Sequence, residues 1–260
     1  MSQKNNKSKA ESPWAMGWRH FKKNKMAVTG LILLTIIVLS AIFAPILAPH
    51  DPSQTNILKA KQAPSSEHPL GTDRIGRDIL SRILYGGRVS ITVGIVAMSI
   101  SVTLGTLIGL IAGYFGGWID TLLSRVIDVF RSIPFLVMAI TIGAIWGPGL
   151  YKLMVIIGVL SWTGVARLVR GRVLTLRERE FIHASRALGS NDLRIMLKHL
   201  FPNALAPIIV NATLRVAYSI LSEAGLSYLG LGVMPPTASW GSMLNAARSV
   251  SVLESMPWFW

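Results

Sequence analysis

The sequence predicts an all-α protein, a polytopic bundle of helices that cross a membrane. Three observations lead there. Of 260 residues, 51% are hydrophobic and only 15% charged, whereas a soluble domain carries about a quarter charged. Apolar runs recur along the chain, several of them long enough to cross a hydrocarbon core of about 30 Å at about 1.5 Å per residue. The polar segments between them are alternately strongly basic and nearly balanced in charge, as loops on the two faces of a bilayer should be.

Residues 1–26 carry Lys4, Lys7, Lys9, Arg19, Lys22, Lys23 and Lys25 against Glu11. The start of this segment is expected to be unstructured, and Trp14 to Phe21 to lie along the membrane surface as a short amphipathic piece. No charge interrupts 27–48, the first span. It is too long for a signal-peptide core, and Pro49 follows Ala48 where a cleavage site would need small residues, so it reads as retained. Residues 49–88 are polar and nearly balanced. Thr72 suits a helix start and Asp73 its first turn; Ile75, Ile79, Leu80, Ile83 and Leu84 share one face, and Gly86 and Gly87 are expected to stop the helix.

The remaining core spans 89–260. Its first apolar stretch, Val89 to Phe115, carries Ser101, Gly105, Gly109 and Gly113 at every fourth position, a ridge that lets a neighbouring backbone approach. Such ridges serve packing within one subunit and contacts between subunits equally. A polar helix follows from Asp120 to Arg131. Ile133 to Tyr151 and Leu153 to Ala166 then form a tight hairpin of two spans, with Lys152 extending its amine to the headgroups. After a polar loop at 167–202 comes a fifth span, about Ala204 to Leu226. Residues 226–241 are too rich in Gly and Pro to continue it.

With four spans between them, the N-terminal segment and the 167–202 loop face the same side. Together with Arg125 and Arg131 they hold seventeen basic residues, against eight on the other side (those of 49–88, Lys152 and Arg248). The positive-inside rule makes the first side cytoplasmic and the protein a multi-pass component of the cell membrane. The same rule accounts for the net charge of +14, so no nucleic-acid partner is implied.

No catalytic constellation is visible. There are no cysteines, no phosphate-binding GxxxxGK[ST] loop and no HExxH, and His20, His50, His68, His183 and His199 are scattered along the chain. No metal site is predicted, no cofactor is expected in this chain, and the chain does not read as an enzyme by itself. Intramembrane polar groups are costly unless they face water or a partner. Asn211, Arg215 and Glu223 in the fifth span are therefore candidates to line a path, with Arg215 alternatively snorkelling or locally paired, and Glu223 placed nearer the hydrated outer end.

The loop at 167–202 resolves into two short helical patterns meeting at Gly189, which can take a left-handed turn. Phe181, Ala184, Ala187 and Leu188 form an apolar strip, Ser190 or Asn191 caps the second pattern, and Pro202 is expected to end it. A hairpin resting on lipid and a foot presented to a protein partner would look alike.

HASRALGSNDLRIMLKHLFPN (183–203) resembles the EAA loop of ATP-binding-cassette importer permeases, with Ala184, Ser185, Gly189 and Pro202 at the family's spacing. HPLGTDRIGRDILSRILYGGRVS (68–90) and LSEAGLSYLGLGVMPPTASWG (221–241) are similar to the outer signatures of the oligopeptide, dipeptide and nickel branch, in its C-type subunit. The resemblance implies the type I importer (MetI-like) permease fold, with a sixth span after the Trp258 region that this chain stops short of. It implies a peptide importer in which a second permease subunit completes the pathway as a heterodimer. Two cytoplasmic subunits would bind ATP and Mg, and an extracytoplasmic binding protein would deliver substrate. It also makes 167–202 the coupling loop, with Glu180, Phe181, His183, Ala184, Ser185, Arg186, Ala187, Leu188, Gly189 and Pro202 as the ATPase-coupling residues. His183 stands where an acidic residue is usual, Phe201 where Leu is, and Arg215 where an uncharged residue is. Import of nickel, a metal chelate or another small solute is the alternative within the same machine. An ATP-independent secondary transporter or channel is the alternative of another class.

Overall fold

A computed structural model describes residues 13–259; the basic start of the chain, with Lys4, Lys7 and Lys9, lies outside the described residues. Every regular element among them is helical. Helix α1 (Pro13–Lys23) stacks Trp18 on Phe21 at 5.6 Å with Lys22 over the indole. Asn24 then caps α2 (Lys25–Ile42) by accepting from the Ala27 amide. Leu33, Leu34 and Ile36 of α2 are exposed and only Ala41 is buried, an arrangement suited to lipid rather than water. A single turn, α3 (Ala44–Leu47), ends this span.

The next helix does not start at Thr72. Thr72 instead ties the preceding loop together, its hydroxyl accepting from the Gln62 amide and donating to the Lys59 carbonyl. Asp73 accepts from the amides of Ile75 and Arg77 and from the Arg77 guanidinium. Asp78 is the cap, accepting from the Ser81 amide at 2.8 Å. From there α4 (Ile79–Phe115) runs unbroken through Gly86 and Gly87, so the helix expected to end at those glycines and the second span are one element, and the division at 88 falls inside it. A helical glycine costs about 1 kcal/mol relative to alanine. Here it permits close packing: a Cβ on Gly86 would lie 3.4 Å from the Ser239 backbone and one on Gly87 3.0 Å from the Trp240 ring.

Helix α5 (Gly117–Ser132) meets α6 (Phe135–Trp146) at 82° across Pro134. The third span is thus shorter than expected: twelve residues give about 18 Å. α7 (Leu150–Arg177) extends well past Ala166, so the polar loop begins near Glu178 rather than Arg167. Among the described residues, four helices are long and apolar enough to cross a membrane, and the bent α5–α6 pair can supply a fifth crossing.

Beyond α7 come α8 (Glu180–Ala187), the short α9 (Asp192–Arg194), a π-helical turn at Ile195–Leu200 and α10 (Phe201–Tyr228). Pro202 does not end this run. It sits in the first turn of α10, immediately after the π turn, and the wider turn takes up the lost N–H and the ring's clash with the preceding carbonyl. After an irregular Gly/Pro segment, Ser239 makes a capping box with Ser242 at the start of α11 (Trp240–Ala247), and α12 (Val250–Ser255) follows.

α4 is the hub. Its small-residue ridge packs on α7 within the same chain: a Cβ on Gly105 would fall 2.5 Å from Val165, on Gly109 2.6 Å from the Ala166 carbonyl, and on Gly113 2.8 Å from Val173. The pairing advances in the same direction on both helices, so they run parallel. The chain between them must therefore return to the start of α7, which α5, α6 and the turn at 147–149 accomplish. α10 packs against α4 in the opposite sense, Gly94 against Ile220 near one end and Leu110 with Ile208 and Ala204 near the other.

Candidate coupling foot and translocation cavity

The foot is a helix, a turn and a helix start. α8 closes with the Gly189 amide bonded to the Arg186 carbonyl and the Ser190 amide to the Ser185 carbonyl, and Gly189 has φ +78°. This paired closure satisfies the last helix carbonyls and demands a left-handed residue. Asn191 then accepts from the Arg194 amide at 2.8 Å and opens the outgoing helix.

α8 has two faces. Ile182 and Ser185 point inward and are buried; Ser185 Oγ lies 3.3 Å from His199 Nε2. Ile182 joins one apolar cluster with Leu110 of α4, Val173 and Leu176 of α7, and Ile195 and Leu200 of the outgoing run. The opposite face carries the apolar strip read from the sequence. Leu188 is 86% exposed, Phe181 42%, and Leu193 and Leu197 of the outgoing run are also open. Glu180, His183, Ala184, Arg186 and Ala187 are exposed around this strip. Pro202 is exposed but belongs to α10, apart from α8.

Polar contacts lock the foot to the bundle. The Tyr114 hydroxyl at the end of α4 donates to Asp192 at 2.5 Å, and the Arg186 guanidinium lies 5.3 Å from the Tyr114 ring centre. Arg177 donates to the carbonyls of Gly113 and Tyr114, placing positive charge at the negative end of α4. Nearby, Arg170 grips Asp120 with two donors and Arg167 pairs with Asp128 at 2.9 Å, tying α5 to α7.

Midway along the bundle a cavity of about 480 Å³ is lined by Arg131, Ser161, Thr163, Asn211, Arg215 and Tyr218, among others, and, among the described residues, by no acidic one. The Arg215 guanidinium lies against the Gly164 backbone, where a Cβ would come within 2.1 Å of Nη2. Two of the expected path residues, Asn211 and Arg215, therefore share a cavity; Glu223 does not. It is fully buried, accepting from Ser90 Oγ at 2.9 Å and Ser227 Oγ at 2.6 Å. Rather than facing the outer end, its carboxylate is enclosed where Gly94 lets α10 approach α4, and serine hydroxyls meet it.

Residues 105–256 match the family described as the binding-protein-dependent transport system inner membrane component, and 12–64 match the N-terminal transmembrane domain of oligopeptide transport permease C. The chain belongs to this permease family. It is 46% identical to the dipeptide transport system permease protein DppC of Alkalihalophilus pseudofirmus over 96% of this chain and 81% of that one. It is 40% identical to the oligopeptide transport system permease protein OppC of Bacillus subtilis, over 96% of this chain and 81% of the relative. A solved structure titled as inward-facing conformations of the MetNI methionine ABC transporter is similar in fold, with a TM-score of 0.53 and 22% identity, covering 65% of this chain and 82% of that one. The chain is thus a multi-pass membrane permease with the type I importer fold.

The permease's foot places Glu180 through Gly189 in one compact unit, but Ser185 faces its interior rather than a partner. Sequence reasoning missed Tyr114, Asp192 and Arg177 as the ties between foot and bundle, and Arg131 as the second cation of the cavity. Nothing in their local sequence marks them, since each contact joins segments far apart in the chain.

Proposed function

We propose that this permease is half of the translocation pathway of an ATP-driven peptide importer, with the N-terminal segment and foot in the cytoplasm. A second, related permease completes the pathway, two ATP- and Mg-binding subunits drive it, and an extracytoplasmic binding protein delivers substrate. The observation that carries the coupling role is the two-faced foot: its inner face is fused to α4, α7 and the α10 run by one apolar cluster, while Phe181, Leu188 and Leu193 are left uncovered. A rigid body with an open apolar face transmits a push from whatever seats on it. Closure of the ATPase pair would thus tilt the helices around the central cavity.

Arg131 and Arg215 make that cavity cationic with no acidic residue in its lining, which suits the terminal carboxylate of a peptide. Uptake of labelled di- and oligopeptides in a deletion strain tests the reading. The wild-type chain restores uptake. Leu188→Glu abolishes it and co-purification of the ATPase subunits, while the permease still reaches the membrane. Normal peptide uptake with a fall in nickel uptake in the deletion strain would transfer the role to metal import; transport in ATP-free vesicles would remove the ATPase from the account.

A further inference from the structure

The five histidines are scattered in the sequence, but the fold brings two of them together beside a carboxylate, at the end of the bundle opposite the foot. His50 follows α3, His68 lies in the loop before α4, and Asp78 caps α4. His68 Nδ1 is 2.9 Å from Asp78 Oδ1, and His50 Nδ1 is 3.8 Å from the same oxygen. The imidazoles lie 4.4 Å apart, centre to centre. One ligand atom from each of the three residues falls within 4.8 Å of the other two. His68 and Asp78 are buried, His50 partly so.

We propose that His50, His68 and Asp78 hold one divalent transition-metal ion of the class that favours imidazole, zinc above all, as a structural staple. A His68–Asp78 hydrogen bond accounts for only part of the arrangement. It leaves His50 Nδ1 buried without a hydrogen-bond partner, 3.8 Å from the same carboxylate, and such groups are costly to bury unpaired. A tetrahedral zinc with bonds of about 2.0 Å sets its ligand atoms about 3.3 Å apart, and the separations of 2.9 and 3.8 Å lie on either side of that edge. His50 Nδ1 then becomes a ligand.

The surroundings are built as a second layer. Asp78 Oδ2 is held by the Ser81 amide and hydroxyl, which leaves Oδ1 for the histidines, and Ser81 Oγ also accepts from the His50 amide. A small cavity of about 70 Å³ adjoins the cluster, walled also by Asp51 and Lys59; it has room for an ion with a water as the remaining ligand. Lys59 is engaged by Glu67, which offsets its positive charge there. The segment has a reason to need a staple: no buried hydrophobic residue lies between Ala44 and Ile79. A loop without an apolar core gains most from a metal that joins distant parts of it.

The test uses the full chain in its permease complex, stripped with a chelator and titrated with Zn²⁺ or Co²⁺. One Zn²⁺ per chain is expected by metal analysis, with the intense visible absorption of tetrahedral Co²⁺. His50→Gln and His68→Gln should each weaken binding at least about tenfold, and His183→Gln should leave it unchanged. Zn²⁺ should also slow proteolysis within 51–78 in the wild type only. Absence of stoichiometric binding, or a Co²⁺ spectrum retained in both variants, overturns the proposal. Should His68→Gln fail to assemble, the wild-type spectrum and the partly exposed His50→Gln still decide it. Peptide transport does not enter the readout, so failure here is separable from failure of the importer reading.

Discussion

The Tyr114 hydroxyl donates a 2.5 Å hydrogen bond to Asp192, joining the last turn of α4 to the first residue of the helix that leaves the foot. Tyr114 is buried in the apolar cluster that also holds Ile182 of α8. The contact therefore couples the foot to the central helix by a directional bond as well as by packing.

Tyr114→Phe keeps the ring and its packing but deletes that bond. A hydrogen bond to a charged group contributes about 1.5–3 kcal/mol. The expected result is a several-fold loss of peptide uptake with ATPase association retained and membrane levels near normal. Uptake at the wild-type rate would show that apolar packing alone transmits the motion.

Gly189 tests the foot from the other side. Its φ of +78° is strained for a side chain, yet nothing lies within 4 Å of where a Cβ would sit. Gly189→Val should lower uptake far more than membrane insertion, because only the backbone conformation suffers, by about 1–2 kcal/mol. Gly189→Asn, which enters the left-handed region readily, should retain most activity. Equal losses of uptake and insertion in Gly189→Val would remove the argument that this turn sets the foot's geometry.

Gly109 presents the opposite case. A Cβ there would meet the Ala166 carbonyl at 2.6 Å and the Arg170 amide at 3.0 Å, backbone atoms of a packed helix that cannot swing aside. Gly109→Val should destabilise the fold by about 3 kcal/mol, seen as a lower melting temperature and reduced membrane level. Gly171→Ala, with open space around it, should be neutral or stabilising by about 0.4–1 kcal/mol.

Much of this architecture is legible in sequence because the bilayer imposes it. The uncharged runs, the Gly105–Gly109–Gly113 ridge and the turn at Gly189 each follow from a local rule. The errors arise where tertiary contacts outweigh local signals. Gly86 and Gly87 look like a stop but are contact points for the start of α11, and Pro202 looks like an end but is absorbed by a π turn. Glu223 reads as hydrated from its depth along the span because the sequence says nothing of Ser90, which approaches from a helix more than a hundred residues away. Tyr114 and Asp192, Arg131 and Arg215, and His50 and His68 are pairings that only the folded chain reveals.

Arg215 should set which substrates the cavity accepts. With Arg131 as its charged neighbour and no acidic residue in the lining, its replacement by Gln halves the cationic charge of the cavity while keeping a long polar side chain. Uptake of peptides with a free C-terminal carboxylate should fall several-fold in Arg215→Gln. C-terminally amidated peptides should be much less affected. A uniform loss across both classes would assign Arg215 to helix packing against Gly164 instead.

Glu223 makes a sharper discrimination between packing and transport. Its carboxylate accepts from Ser90 and Ser227, and Ser90 Oγ in turn accepts from the Trp240 amide at 3.2 Å, so α4, α10 and the start of α11 converge on it. Gln at this site can accept from one serine and donate to the other, and Glu223→Gln should leave both assembly and uptake close to wild type. Glu223→Leu leaves two buried hydroxyls without their partner, at about 1–3 kcal/mol each, and should lower the melting temperature of the complex together with uptake. If Glu223→Gln instead assembled normally but lost transport, the residue's charge would matter for the substrate or its path, and its role as a polar tie between helices would have to be abandoned.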